Sequence, residues 1–336
     1  MKTLLKLVLV LSSMISPFFW ANADEPAFRT IPIIEVDGAI MPGWEKQVME
    51  LYQDEEGNPV PVVFRGAAKN WQAASLTPEY FRENFGEENI FVIEDTQVLN
   101  FQRVETTIRD HVNDILLNPK NAGYFVANLP HNITQGEVNY YTANPTEDKR
   151  SRIFLYRYLD FSNITEFPQP QTRLNNNGPK AYTLFIGSEN SVALLHNHES
   201  VFFSQIYGKK IARLVHPKYI KQCACEISDH DVENCISYSP SFICAHDYDS
   251  NKPLYCEDVY YTKHCLCPLE EDEYIKKYYT SACADIVNPD FEKYPELQNI
   301  EVQEAILEPG DILYIPDRWL HDLRALTTSI SIASGF

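Results

Sequence analysis

The second half of the chain is a series of short apolar runs separated by turn residues. Most of the segments between these runs contain glycine, proline, asparagine or aspartate. Short runs with frequent turns are typical of antiparallel β-sandwiches and barrels. The pattern predicts strands over residues 182–187, 192–198, 201–207, 210–215, 302–307, 312–315 and 328–333.

The first half mixes strands with helices. Runs over residues 30–36 and 59–66 predict strands, and the two prolines in the second run confine pairing to its later residues or to a sheet edge. Thr77 followed by Pro78 indicates the start of a helix, with the threonine as N-cap. The pattern also predicts two strands and one helix, over residues 89–93, 153–159 and 108–117 respectively.

The amino-terminal residues have the composition of a secretory signal peptide. Two lysines flank the start of an apolar stretch over residues 7–20, and residues 21–23 have the A-x-A pattern of a cleavage site. The alternative is a membrane anchor, but the apolar stretch is too short and too interrupted to span a bilayer. We expect cleavage after Ala23, a mature chain over residues 24–336 without a membrane span, and a location in the ER lumen or outside the cell.

All eight cysteines lie in one segment, residues 223–283, between two of the predicted strands. An even number of clustered cysteines behind a signal peptide indicates four disulfides, because the secretory pathway is oxidising. Zinc is the alternative, since three histidines lie in the same segment. We expect a disulfide-rich insertion whose pairing stays open. The residues concerned are Cys223, Cys225, Cys235, Cys244, Cys256, Cys265, Cys267, Cys283, His230, His246 and His264.

The net charge and the glycosylation sequons indicate which partners and modifications to expect. The chain has 28 lysines and arginines against 47 aspartates and glutamates, a formal net charge of −19. Such a surface repels phosphate backbones, so a nucleic-acid partner is not expected. Asn132 and Asn163 each begin an N-x-T sequon, which is an acceptor site for glycans in a secreted glycoprotein.

The candidate chemistry centres on three histidines. His196 and His198 lie two apart on a predicted strand, so both imidazoles should point to one face and reach one metal ion. His321 follows a predicted turn, strand and proline, a context that can present a third histidine at the open end of a barrel. The other histidines lack such an arrangement and are expected at the surface, namely His111, His131, His216, His230, His246 and His264.

Two segments that contain these histidines resemble the two halves of a JmjC domain. The first runs from Leu184 through the His-Asn-His sequence to Lys210, and the second from the turn that starts at Glu308 to His321. Residues 63–71 are similar to the family's first strand and turn. The resemblance implies a mainly β fold with flanking helices, a double-stranded β-helix of the jelly-roll or cupin kind. It points to the small lumenal branch of the family, in which a histidine follows the first ligand by two.

The same resemblance implies an Fe(II) site with 2-oxoglutarate as co-substrate. His196 and His321 match ligand positions, whereas His198 stands where the family usually has an aspartate or glutamate. A third neutral imidazole leaves the site one positive charge richer than a carboxylate would, so zinc or another divalent metal is an alternative. Lys210 matches the lysine that pairs with the far carboxylate of 2-oxoglutarate.

Three further positions concern the co-substrate pocket. Ala193 stands where relatives frequently have a threonine or serine, and it cannot donate a hydrogen bond to 2-oxoglutarate. Tyr156 would supply a phenol from the preceding strand, with packing in the core as the alternative. Ser334 falls near a position where relatives line the pocket with a polar residue.

Two functions follow from this reading. The first is a lumenal or secreted Fe(II)- and 2-oxoglutarate-dependent oxygenase that hydroxylates a protein or peptide. The second is a non-catalytic JmjC-like protein that binds partners in the secretory pathway, with or without a structural metal. The histidines and Lys210 favour the first, and the departures at His198 and Ala193 favour the second.

Overall fold

A computed structural model describes residues 27–36, 48, 50–94, 103–118, 123–130, 165, 181–219, 285–292 and 295–335. These residues form fourteen β-strands and two α-helices. The predicted signal peptide, the strand expected over residues 153–159 and the cysteine-rich segment over residues 223–283 lie outside the described residues. Their structure and boundaries therefore stay predictions.

The helices and strands of the described residues have the following bounds, in chain order. The two α-helices are α1 (Pro78–Phe85) and α2 (Ile108–Leu117), and short 3-10 helices cover Gln72–Ser75, Pro217–Tyr219 and Pro295–Asn299. The strands are β1 (Ala27–Thr30), β2 (Ile33–Glu35), β3 (Val62–Arg65), β4 (Asn89–Ile93), β5 (Arg103–Thr107), β6 (Tyr124–Pro130), β7 (Ala181–Gly187), β8 (Val192–His196), β9 (Val201–Tyr207), β10 (Lys210–Val215), β11 (Glu301–Leu307), β12 (Ile312–Ile315), β13 (Leu320–Ala325) and β14 (Ser329–Gly335).

The strands form two sheets that face each other. The smaller sheet has the order β1-β11-β10-β13-β8, and the larger has the order β2-β3-β12-β9-β14-β7-β6-β4-β5. Most neighbours are antiparallel, and only the β1–β11 and β2–β3 pairs are parallel among the described strands. The mainly β double-stranded β-helix predicted from the sequence is confirmed.

One hydrophobic cluster fills the space between the two sheets and defines the barrel interior. The smaller sheet contributes Ala212, Leu214 and Leu323, and the larger sheet contributes Phe203 and Leu313. These side chains alternate along their strands with residues that point outward, as the period of two in a strand requires. Burial of this shared apolar surface holds the two sheets together.

The two helices cover the outer face of the larger sheet. Phe81 of α1 and Val112 of α2 are fully buried against Phe125 and Ile330 of the sheet. The side chain of Thr77 accepts a hydrogen bond from the Tyr80 amide at 3.1 Å, so the predicted N-cap is confirmed. No helix among the described residues is both long and apolar enough to cross a membrane.

The outer face of the smaller sheet is covered by the segment that precedes β11. Ile286, Leu297 and Ile300 of that segment pack against Leu195 of β8 and Leu320 of β13. The sheet that carries the histidines is therefore buried on both faces. Its strands cannot shift by one residue without exchanging the interior and exterior side chains.

Several predicted elements differ from the structure. The strand expected over residues 30–36 is split, because Pro32 separates β1 from β2 and cannot donate to a ladder. The strand expected over residues 192–198 ends at His196. Strand β13 was not predicted, although it carries His321.

Candidate metal centre

Strand β8 contains one more residue than the part of β13 with which it pairs. His321 pairs with His196 and Leu323 pairs with Ala193, so three steps on β8 match two steps on β13. Such a β-bulge turns the side chains beyond it to the opposite face of the strand. Leu323 and Ala193 both pack at the barrel interior. The bulge therefore directs His196 to the interior as well, on the same face as His321.

His198 lies beyond the end of β8, in the turn that leads to β9, so the prediction that both histidines share a strand was wrong. The turn still places the three rings together. The ring centroid of His321 is 4.3 Å from that of His196 and 4.6 Å from that of His198. One ring nitrogen from each histidine lies within 4.8 Å of the other two. Their role as metal ligands stays a prediction.

Hydrogen bonds to the backbone fix the tautomers of two of the rings. Nδ1 of His198 lies 2.7 Å from the carbonyl oxygen of Glu199, and Nδ1 of His321 lies 2.9 Å from that of Trp319. A carbonyl oxygen only accepts, so both Nδ1 atoms donate and both Nε2 atoms of the neutral rings carry a lone pair. These Nε2 atoms are 3.1 Å apart. Two lone pairs at this separation need a cation, either a metal ion or a shared proton.

Burial disfavours the shared proton. Burial lowers the pKa of His198, and burial together with the neighbouring His196 and His198 holds the pKa of His321 well below its usual range. Metal–imidazole bonds of about 2.0–2.2 Å place two nitrogen ligands of one ion about 3.0–3.5 Å apart. The Nε2–Nε2 distance of 3.1 Å lies in that range. The site therefore fits a divalent metal ion.

The donor set consists of three imidazoles. Among the described residues, these three histidines are the one group of side chains that could hold a metal ion. No carboxylate belongs to this group. Imidazole ligands suit zinc, copper, iron and nickel, whereas two histidines with one carboxylate are typical of non-heme Fe(II) oxygenases. The donors accept Fe(II) but do not favour it over Zn(II) by charge.

Lys210 lies inside the same barrel, at the opposite end of β10 from the residue that pairs with His321. Its side chain is fully buried, with Nζ 3.3 Å from the hydroxyl of Tyr124. Nζ also lies 5.1 to 5.4 Å from the ring centroids of Tyr124, Phe185 and Phe203. Among the described residues, no carboxylate forms an ion pair with this amine. A buried lysine amine that has no carboxylate partner among the described residues is chemically suited to pair with an anion.

The two polar groups at this end of the barrel, the Lys210 amine and the Tyr124 hydroxyl, differ in how burial changes their pKa. Burial lowers the pKa of Lys210 to about 7, although three aromatic rings near Nζ favour the charged form. Burial raises the pKa of Tyr124, so its phenol stays protonated and can donate a hydrogen bond. The pair offers one neutral donor and one amine whose charge depends on pH near neutrality.

Tyr124 places a phenol beside Lys210, whereas the sequence predicted a phenol in this pocket from Tyr156. Tyr156 lies outside the described residues, so that assignment stays a prediction. Strand β6, which begins at Tyr124, was not predicted. The run of apolar residues after Gly123 was the signal that could have found it, because a strand buried on both faces need not alternate.

Ser334 does not point into the barrel. It shares its strand face with Ile330 and Ile332, which pack in the cluster beneath the helices, whereas Ala333 packs at the barrel interior. Its strand partner Phe202 also belongs to the helix-side cluster. The proposed co-substrate contact of Ser334 is therefore wrong, because the register of β14 places it on the opposite face.

Two of the remaining histidines lie among the described residues. His111 is buried between α2 and the larger sheet, with Nε2 3.2 Å from the carbonyl oxygen of Ile186, so its expected surface position was wrong. His216 is partly buried against the ring of Trp319, with a centroid distance of 5.0 Å. Trp319 itself is buried and packs in the interior cluster.

Comparison with known proteins places these observations in a family. The profile of the family described as a cupin-like domain matches residues 50–334. The chain is 46% identical over 52 residues to JmjC domain-containing protein C of Dictyostelium discoideum. It is 43% identical over 49 residues to Lysine-specific demethylase 8 of Xenopus tropicalis. It is 42% identical over 52 residues to tRNA wybutosine-synthesizing protein 5 of Danio rerio.

These matches are short. They cover 16%, 15% and 16% of this chain. They cover 12%, 11% and 16% of the respective relatives. The similarity therefore supports the domain type, and the activities named for those relatives belong to those proteins.

The donor set generates a prediction about metal preference. Replacing His198 by aspartate creates two histidines and one carboxylate, so the ratio of Fe(II) affinity to Zn(II) affinity should rise. Competition titrations of both metals against a chelator, under anaerobic conditions, measure this ratio.

The matched control is His216→Asp, which places the same carboxylate on a partly buried histidine outside the cluster. It should leave both affinities unchanged. If His198→Asp binds both metals as the parent chain does, residue 198 is not a ligand.

Proposed function

The chain belongs to the cupin-like domain family, and on that premise we propose that it is a JmjC-type oxygenase that uses Fe(II) and 2-oxoglutarate. The observation that supports this most is the pairing of two sites in one barrel interior. Three imidazoles converge at one end, and at the other lies a buried lysine that has no anionic partner among the described residues. We propose a protein or peptide as the substrate and hydroxylation as the reaction.

Each site would have a separate task. His196, His198 and His321 would hold the metal through their ring nitrogens, with the backbone carbonyls of Glu199 and Trp319 orienting two of the rings. Iron with 2-oxoglutarate, when bound, supplies the activation of O₂. The protein contributes the geometry and a dry interior.

Lys210 and Tyr124 would bind the far carboxylate of 2-oxoglutarate. The ammonium supplies the charge, and the phenol donates a second hydrogen bond. Lys210 is four residues from Leu214, which pairs with His321, so the backbone positions of these two residues are about 13 Å apart along the strand, and the long lysine side chain extends from there into the interior. Phe185 and Phe203 line the wall beside the amine and exclude water from it.

A non-catalytic binding protein is the second candidate, and His198 is the observation that favours it. A third imidazole in place of a carboxylate suits zinc at least as well as iron. In this case the metal would stabilise the fold, and the barrel would serve as a partner-binding domain.

We further propose that the protein acts in the secretory pathway, in the ER lumen or outside the cell. The support is in the sequence, where residues 1–23 read as a signal peptide and the eight cysteines cluster in one segment. Its partner would then be a protein or peptide of that compartment, and the acidic charge disfavours nucleic acid.

Turnover of 2-oxoglutarate separates the two candidates. With Fe(II), ascorbate and O₂, the oxygenase should convert 2-oxoglutarate to succinate, slowly without substrate, and replacing Lys210 by methionine should abolish this. The neighbouring Lys209→Met is the control, because Lys209 is exposed and pairs with Glu308 instead. Absence of succinate from iron-loaded protein in the presence of candidate lumenal peptides would contradict the oxygenase and favour the binding protein.

Binding of 2-oxoglutarate should take up a proton above pH 7. Burial places the pKa of Lys210 at about 7, far below its usual value of 10.5, so above pH 7 the free protein carries a neutral amine. The carboxylate favours the ammonium, so affinity should fall as pH rises, approaching about tenfold per pH unit. Calorimetry in buffers of different ionisation enthalpy measures the uptake directly.

The control for this experiment is Lys210→Arg, because a guanidinium stays charged throughout the range. This variant should bind 2-oxoglutarate without proton uptake. Equal uptake by the parent chain and the arginine variant would show that another group titrates.

The disulfide expectation has its own test. The denatured but unreduced mature protein should contain no thiol that reacts with a titrating reagent, since all eight cysteines would be paired. Several reactive cysteines would remove the main support for the secretory location and favour zinc binding by the cysteine-rich segment.

A further inference from the structure

His198 differs from the other two histidines in how its position is fixed. His196 and His321 face each other on paired strands, so the ladder of the smaller sheet sets their geometry. His198 lies in the turn after β8, outside that ladder. Its placement beside the other rings must come from contacts of the turn itself.

One such contact is a backbone hydrogen bond from a second turn. The amide of Arg318 donates to the carbonyl oxygen of His198 at 3.1 Å. Arg318 belongs to the turn between β12 and β13, in which the Trp319 amide donates to the carbonyl oxygen of Pro316 at 3.3 Å. This second turn leads directly into the strand that carries His321. The turn that contains His198 and the turn that leads to His321 are thus joined by a hydrogen bond.

The backbone of Arg318 is strained. Its φ angle is 64°, in the left-handed region that residues with a side chain rarely adopt. The neighbouring carboxylate of Asp317 lies 3.3 Å from the guanidinium, so the side chain pairs within its own turn. The main chain of Arg318, by contrast, faces the histidine turn, where Asn197 Nδ2 lies 3.5 Å from its carbonyl oxygen. Such strain persists where surrounding contacts require it, and functional sites are common among such places.

We propose that Arg318 is a positioning residue for the metal site, and that its left-handed backbone conformation holds His198 against His196 and His321. The guanidinium is dispensable for this task. The inference rests on the proposed metal site. The turn over residues 316–319 would fix the position of His198, as strand pairing fixes the positions of His196 and His321.

The proposal predicts that the zinc affinity of variants at position 318 depends on how well each residue adopts a positive φ angle, and not on its charge. Glycine adopts a positive φ without strain, and asparagine tolerates it, whereas a β-branched residue does so least. Arg318→Gly and Arg318→Asn should therefore keep the zinc affinity of the parent chain. Arg318→Val should weaken it by about tenfold or more, the range found when residues that orient a ligand are lost.

The test measures the zinc dissociation constant of the mature chain by chelator competition, for each variant in two backgrounds. In the parent background the valine variant should bind more weakly. In a His198→Ala background it should make no further difference, because the ligand that it positions is gone. A purely structural effect of valine would weaken zinc binding equally in both backgrounds, and that result would overturn the proposal, as would unchanged affinity of Arg318→Val.

Folding is followed separately, by circular dichroism of the metal-free variants. If the valine variant does not fold, Arg318→Ala takes its place, since alanine also disfavours the left-handed region but less strongly. The alanine variant should then bind zinc more weakly than the glycine and asparagine variants. Equal zinc affinities of all three variants would overturn the proposal. Should His198→Ala alone leave zinc binding intact, residue 198 is not a ligand and Arg318 has no ligand to position, which is a distinguishable result that overturns the proposal.

Discussion

The register between β8 and β13 is the constraint on which the rest of the site depends. Three residues of one strand lie opposite two of the other, and the extra residue turns His196 into the barrel to face His321. Without this bulge, His196 would point towards the segment that covers the outer face of the sheet. The sheet is buried on both faces, so its apolar clusters hold the register, and the register in turn holds His196 and His321 face to face.

The barrel interior combines an apolar wall with two polar ends, and among the described residues neither end has a side chain of opposite charge. At one end the lone pairs of two imidazoles face each other at 3.1 Å, an arrangement that calls for a cation. At the other end a buried amine lies among aromatic rings, an arrangement that calls for an anion. A metal with a dicarboxylate co-substrate would satisfy both ends at once. The two sites are therefore best understood together.

The sequence predicted the elements whose patterns are local. Strand β10 was found with the right bounds, and Thr77 was found as an N-cap, because alternation and capping depend on adjacent residues. Strand β13 was missed because its outward residues are charged and resemble a loop. In the structure Asp322 is buried, and Arg213 on the neighbouring strand lies 3.8 Å from its carboxylate. The bulge in β8 and the facing of Ser334 depend on pairing between strands, which no local pattern reveals.

X-ray absorption at the metal edge of the loaded protein tests the central claim most directly, because it reports the ligands of the ion whatever the activity. We expect about three imidazole nitrogens at about 2.0–2.2 Å, and one fewer in the His321→Ala variant. A shell of oxygen ligands without imidazole scattering, or a spectrum that the loss of His321 leaves unchanged, would show that the three histidines do not bind a common metal ion.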